Sequence, residues 1–149
     1  MTPFVCAGAG FLLAVLWFDL MFDVQIAGTA TAERAEDVVE SIAAYYRRVT
    51  TAARPMNRLV AAIMLATLVS IVVQIAREDR PRWVGWVALA LAGFPVLLAG
   101  IRTVPRAVRL GTRTDPVARQ QELARSIYRD HLVCAAAISA LLAVELGFA

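Results

Sequence analysis

The sequence contains no lysine: all 15 of its basic residues are arginine. It has one histidine, one asparagine and two cysteines. Each scarcity excludes a class. Cys6 and Cys134, at opposite ends of the chain, cannot build a disulfide framework or a zinc site. With His131 alone, haem held by paired histidines is excluded. A zinc site would need His131 together with carboxylates or Cys134, and no spacing favours one. The net charge of +3 comes from clustered arginines, not from a basic stripe interleaved with exposed aromatics, so nucleic acid is not expected as a partner. No positive region opens "MTPFVCAGAG" and no small-residue cleavage site follows, so no signal peptide is expected. What the chain has in excess is apolar: 60% hydrophobic residues and a mean hydropathy of +0.65. Soluble domains are nearer half apolar, so the excess points to a membrane protein.

Four windows supply the roughly 20 apolar residues that a spanning helix needs: about 4–26, 56–76, 83–101 and 131–148. Residues 59–73 and 83–101 carry no charge and leave no wet face of the kind a soluble bundle helix shows. The expected fold is all-α: one integral-membrane domain over 1–149, a four-helix bundle with cytoplasmic helical extensions. Low-complexity segments and internal repeats are not evident. Twelve arginines flank one side of these spans and three the other, the turn "REDRPRW" holding Arg77, Arg80 and Arg82. Basic residues collect on the cytoplasmic side. Both termini are therefore expected outside a bacterial inner (plasma) membrane, with Trp83 and Trp86 at the outer interface. The arginine- and alanine-rich composition suits a GC-rich bacterial genome.

The segments between spans look helical. Residues 32–50 place Ala35, Val38, Ile42, Tyr45 and Val49 on one stripe. Their acids lead (Glu33, Glu36, Asp37, Glu40) and Arg47 and Arg48 close, as a helix dipole prefers. Near Pro55 this amphipathic helix should run into the second span. Asp115 is expected to cap an extension at 116–130, with Pro116 in its first turn. With no breaker before Gly147, that helix should continue to about residue 146, roughly 45 Å in all. Pro95 is expected to kink the third span and to free the Leu91 carbonyl.

Asp19 and Asp23, in "GFLLAVLWFDLMFDVQIAG", interrupt the first apolar run. Their i, i+4 spacing puts them on one face, with Gly8, Leu12, Val15, Phe22 and Ile26. In this topology they lie at the inner membrane boundary. Asn57 and Arg58 open the second span there, Arg102 and Arg106 end the third, and Tyr128, Arg129 and His131 enter the fourth. Ala124, Ile127, Tyr128, His131, Cys134, Ile138, Leu142 and Glu145 form the stripe expected to face the interior. Buried ionisable groups usually pair. One reading is therefore a structural network in which Asp19 and Asp23 neutralise Arg58, Arg102 or Arg106, in a non-enzymatic subunit or scaffold. The other is a polar pocket that binds or processes a hydrophobic, possibly aromatic, small molecule. His131 is then the base, Asp19 and Asp23 orient it, and Arg58, Arg102 and Arg106, with Asn57 and Tyr128, meet the substrate. No cofactor is called for. Glu145 stands apart near the outer face and should meet Arg77 or Gln74. Expected partners are the bilayer, a hydrophobic small molecule, and a second copy or another membrane protein, since small residues such as Gly8, Gly10, Ala62 and Ala66 allow close helix contacts.

The stretch "FPVLLAGIRTVPRAVRLGTRTDPVARQQELARSIYRDHLVCAAAISALLAVEL", residues 94–146, resembles the second half of the anthrone oxygenase-like family of small four-helix membrane proteins. That family has an asparagine-valine-proline element ending span three; "TVP" stands here, with Thr103 in place of asparagine. Its aspartate-proline-led helix is matched at Asp115 and Pro116. Tyr128 stands near its tryptophan. Its asparagine-histidine-valine-arginine element is matched by His131 in "DHLVC", with Asp130 for asparagine and no arginine following. The resemblance covers about a third of the chain. It implies a four-helix bundle and, in some members, addition of oxygen to an electron-rich polycyclic phenol without metal or flavin.

Overall fold

The computed structural model describes residues 1–28, 32–52, 54–78 and 81–148, and every regular element in them is helical. Four long helices, α1 (Thr2–Asp23), α3 (Arg54–Ala76), α4 (Arg82–Leu98) and α6 (Val117–Gly147), form the bundle. Two shorter ones, α2 (Ala32–Arg47) and α5 (Val104–Thr112), cover its arginine-rich end. Each long helix packs on its sequence neighbours, and α6 closes the ring against α1. Four helical stretches are long and apolar enough to cross a membrane, the third of them continuing from α4 to Thr112. Arg80 lies outside the described residues, as do the side chains of Glu33, Arg34, Ala35 and Arg54.

The bundle has two cores of different character. The inner one is built largely from small or β-branched side chains: Val5, Ala9, Ile71, Ala88, Ala92, Ile138 and Leu141. Small residues let helix backbones approach, which matters where apolar surroundings remove the hydrophobic drive for helices to associate. Gly8 shows how close: a Cβ there would collide with Thr67 of α3. Large apolar side chains instead point outward, among them Phe18, Leu65, Leu97 and Ile101. A water-soluble monomer rarely exposes so continuous an apolar surface.

The second core resembles that of a soluble protein. Ile26, Val39, Ile42, Ala43, Tyr46, Ala107, Leu110, Leu123, Ala124 and Ile127 are all buried there, where α2 and α5 pack against the first half of α6. Burying each large aliphatic chain contributes about 1.5–3 kcal/mol, which is what holds α2 in place. Gly111 of α5 permits the contact, because a Cβ would lie 3.1 Å from the backbone nitrogen of Arg47.

Three of the sequence expectations differ from the structure. The buried face of α2 is Val39, Ile42, Ala43 and Tyr46, one position round from the stripe centred on Val38 and Tyr45. Helix α4 runs through Pro95, loosens into a π-turn at Ala99–Thr103 and continues as α5 to Thr112, so the third helix does not stop at 101. The extra residue of a π-turn lets the chain pass a proline without ending the helix. Asp115 does not cap α6, whose N-cap is Pro116 with no side-chain cap bond. Its carboxylate instead takes two hydrogen bonds from Arg109, at 2.8 and 2.7 Å, fixing the α5–α6 turn. Those bonds hold the Asp115 carboxyl below its ordinary pKa. Helix α6 is otherwise as long as expected.

Candidate functional site at the arginine-rich end

The final turns of α1 and α2 meet the middle of α6 in a buried cluster. Asp19 and Asp23, one turn apart, face α2 and α6 together. Tyr46 donates to Asp23 Oδ1 at 2.7 Å, and Tyr45 donates to Asp19 Oδ1 at 2.6 Å. His131 Nδ1 lies 2.7 Å from Asp23 Oδ2 and 3.4 Å from the Tyr46 hydroxyl. Asp23 is completely buried, and each of its oxygens has a partner. A carboxylate oxygen can only accept, so the proton on this side of the imidazole is assigned to Nδ1. The other ring nitrogen is held less tightly. Its acidic neighbour is Asp19 Oδ2 at 3.9 Å, beyond hydrogen-bond reach. A ring fixed through Nδ1 with Nε2 left open has the geometry of an oriented general base.

The arginines do not join the aspartates that the sequence reading gave them. Successive residues on a helix point about 100° apart, so Asp130 turns toward α4 and α5 while His131 turns toward α1 and α2. Asp130 takes Arg102 at 3.1 Å and Arg106 at 3.9 Å, and Thr103 donates to it at 3.4 Å. Both arginines also donate to the Ser126 hydroxyl. Arg58 is exposed at the start of α3, and Asn57 donates to the Thr50 carbonyl at 2.9 Å, bracing the turn before α3. Neither therefore contributes to the cluster. Tyr128 is half-buried against the second core and faces the outside of the α1–α6 seam. Of the residues proposed from sequence, the structure gathers Asp19, Asp23 and His131 in one cluster. It places Arg102 and Arg106 in another, around Asp130 on a different side of α6.

Tyr45 and Tyr46 are the site residues that sequence reasoning missed. Tyr45 also stacks on Phe22, with ring centroids 4.1 Å apart. A signal was present: Val39, Ile42, Ala43 and Tyr46 satisfy the i, i+3, i+4, i+7 pattern at least as well as the stripe chosen. Burial first, and then the charges of Asp23 and Asp19, push the Tyr46 phenol well above its ordinary value; burial and Asp19 do the same to Tyr45. The consequence for stability has a definite sign. Below about pH 10 both folded and unfolded chains keep these protons. Above it the unfolded phenol ionises while the folded one cannot, so stability should fall by about 1.4 kcal/mol per pH unit for Tyr46. Unfolding measured between about pH 9 and 11 should show this decline, and Tyr46→Phe should make it shallower. An unchanged slope in Tyr46→Phe would mean that Tyr46 is not the buried phenol responsible.

Two cavities are notable, and neither is lined by Asp19, Asp23 or His131. An apolar groove of about 230 Å³ runs along the outside of the α1–α6 seam between Trp17, Leu20, Met21, Val24, Tyr128 and Leu132. By register it adjoins the cluster, because Leu20 follows Asp19 and Leu132 follows His131. A second space of about 10 Å³, the size of a single water, sits at the opposite end beside Gln74, Gly85 and Glu145. There Gln74 donates to the buried Glu145 at 3.1 Å, as the sequence suggested. The polar pocket expected from sequence is thus a closed cluster with an apolar groove beside it. Neither cysteine is in a disulfide; Cys134 is buried on α6.

Fold and cluster together define an all-helical bundle of membrane-spanning dimensions with a buried carboxylate–histidine–tyrosine centre at one end. The chain matches no family, no curated protein and no solved structure.

Proposed function

We propose that this chain is an inner-membrane protein in which His131, oriented by Asp23, acts as a base on a hydrophobic small molecule that reaches it from the bilayer. The observation that supports this reading is the asymmetry of the imidazole: Nδ1 is fixed at 2.7 Å from a buried carboxylate, while Nε2 has its nearest acid at 3.9 Å. A group needed only to neutralise charge has no reason to leave that nitrogen loose. Asp19, steadied by Tyr45, is placed to stabilise positive charge on the ring once Nε2 has taken a proton. The resemblance to the anthrone oxygenase-like family fits a base that removes the proton of an electron-rich phenol. The exposed apolar belt, with Trp83 and Trp86 at one end and the arginines at the other, supports membrane embedding with both termini outside.

Protein extracted in mild detergent should carry a bound aromatic or quinone-like compound that organic solvent releases. Its retention should fall at least tenfold in His131→Ala. Undiminished binding or turnover in that variant would remove His131 from the centre of the reading. Orientation has its own test. A membrane-impermeant thiol reagent applied to intact cells should label Cys6 and spare Cys134, and labelling of Cys134 alone would invert the topology.

The same geometry supports a second role. Through Asp23, Tyr46 and His131, the cluster ties α1, α2 and α6 together, so it also acts as the clasp between the bundle and its helical cover.

A further inference from the structure

Among the described residues some arginines are paired with acids and several, on more than one helix, are not. Arg82, Arg102, Arg106, Arg109 and Arg119 each meet a carboxylate. Arg125 and Arg129, on α6, are exposed and meet none among the described residues. Their position is informative. Leu132, Tyr128 and Arg125 follow one another at four and three residues, so they share one face of α6. Leu132 and Tyr128 line the apolar groove on the α1–α6 seam. Arg125 stands one turn beyond it, roughly 10 Å along the helix from Leu132. Helix α1 runs the other way, with Trp17 at the far end of the groove and Val24 at the end nearest Arg125. Apolar floor, phenol and guanidinium therefore come in the order of an acyl chain, an ester region and a phosphate.

We propose that the α1–α6 groove seats one anionic phospholipid of the surrounding bilayer, its acyl chain against Trp17, Leu20, Met21 and Leu132 and its phosphate on Arg125 and Arg129. This rests on the membrane reading given above but not on the base role of His131. The arginines select an anionic over a zwitterionic headgroup, since a guanidinium pairs with phosphate through charge-assisted hydrogen bonds. They also argue against a second copy of the chain, because a two-fold contact at this seam would bring like charges together. The groove explains why the ligand is a lipid and not a free anion: on the same face of α6, one turn from Arg125, lies an apolar groove nearly devoid of polar atoms.

The test uses the full chain in nanodiscs of phosphatidylcholine and phosphatidylglycerol in equal parts, released into mild detergent and weighed by native mass spectrometry. One phosphatidylglycerol per chain should remain, favoured about tenfold over phosphatidylcholine. Arg125→Gln with Arg129→Gln should abolish that preference. Leu20→Trp, which fills the groove, should lower retention of either lipid. Circular dichroism of each variant checks that it is folded. His131→Gln should retain the lipid, which separates this surface from the chemistry proposed for the histidine. Equal retention of the two lipids by the wild-type protein, or an unchanged preference in the double arginine variant, overturns the proposal. So does a lipid-free dimer. If the chain is extracted from membranes by alkaline carbonate, the membrane reading itself fails, which is a different result from membrane-embedded protein that shows no lipid preference.

Discussion

Asp23→Ala should be the most damaging single substitution at the arginine-rich end, with an expected loss of about 3–5 kcal/mol. The estimate follows from what the carboxylate does. It is completely buried and takes one hydrogen bond on each oxygen, from Tyr46 and from His131. Removing it strands a phenol hydroxyl and a ring N–H at once, in a place water does not reach. An unmade buried hydrogen bond costs more than a made one contributes. Asp23→Asn should lose less, because its amide oxygen still accepts from Tyr46; its NH₂ then faces Nδ1 and forces the ring to carry its proton on Nε2. Asp19→Asn should lose only about 1 kcal/mol, since that side chain is partly exposed and Tyr45 is its one short partner. Unfolding of the three variants by dodecyl sulfate titration, followed by far-ultraviolet circular dichroism, gives the order directly. Equal losses at Asp19 and Asp23 would mean that burial does not distinguish the two carboxylates.

The contrast between those two aspartates also shows what the sequence could and could not convey. Their i, i+4 spacing and their place at the end of an apolar run were enough to mark a polar centre at one end of a helical bundle. The four long helices were visible because apolar length is a local property, and so was the full extent of α6, which no proline or glycine interrupts before Gly147. Partner choice was not visible, because it depends on the rotation of each helix about its own axis. Asp130 and His131 are adjacent in sequence but face different neighbours, about 100° apart around α6. That single step sends Arg102 and Arg106 to Asp130 and leaves Asp19 and Asp23 to His131 and the tyrosines. The same one-residue uncertainty hid Tyr46 on α2. Arg58 and Asn57 looked right by depth alone, yet α3 exposes that turn and neither reaches the cluster. Helix α5 escaped notice because the apolar run ends at Ile101, whereas the helix passes through Pro95 and a π-turn carries it on into α5.

The chain's single histidine makes the second large effect unusually direct to read. Protein labelled with ¹⁵N-histidine gives a spectrum of one imidazole, so the protonation of each ring nitrogen of His131 can be observed without knowing a substrate. In its neutral form the ring should be protonated at Nδ1 and carry its lone pair on Nε2. This is the less common tautomer for a free histidine, and the Asp23 carboxylate is what selects it. In Asp23→Asn the proton should move to Nε2, removing the lone pair from the open side of the ring. If His131 is the base, turnover should fall in that variant by about 10²–10⁴-fold, the usual contribution of an oriented proton acceptor. Tyr45→Phe should leave the tautomer unchanged, because Tyr45 reaches only Asp19. A ring doubly protonated throughout the pH range in which the protein stays folded would be an imidazolium locked between two carboxylates. It would have no lone pair to offer, and the cluster would then act as a clasp alone. The spectrum thus separates a base from an ion-pair clasp of the same geometry, because the two differ only in whether Nε2 holds a proton.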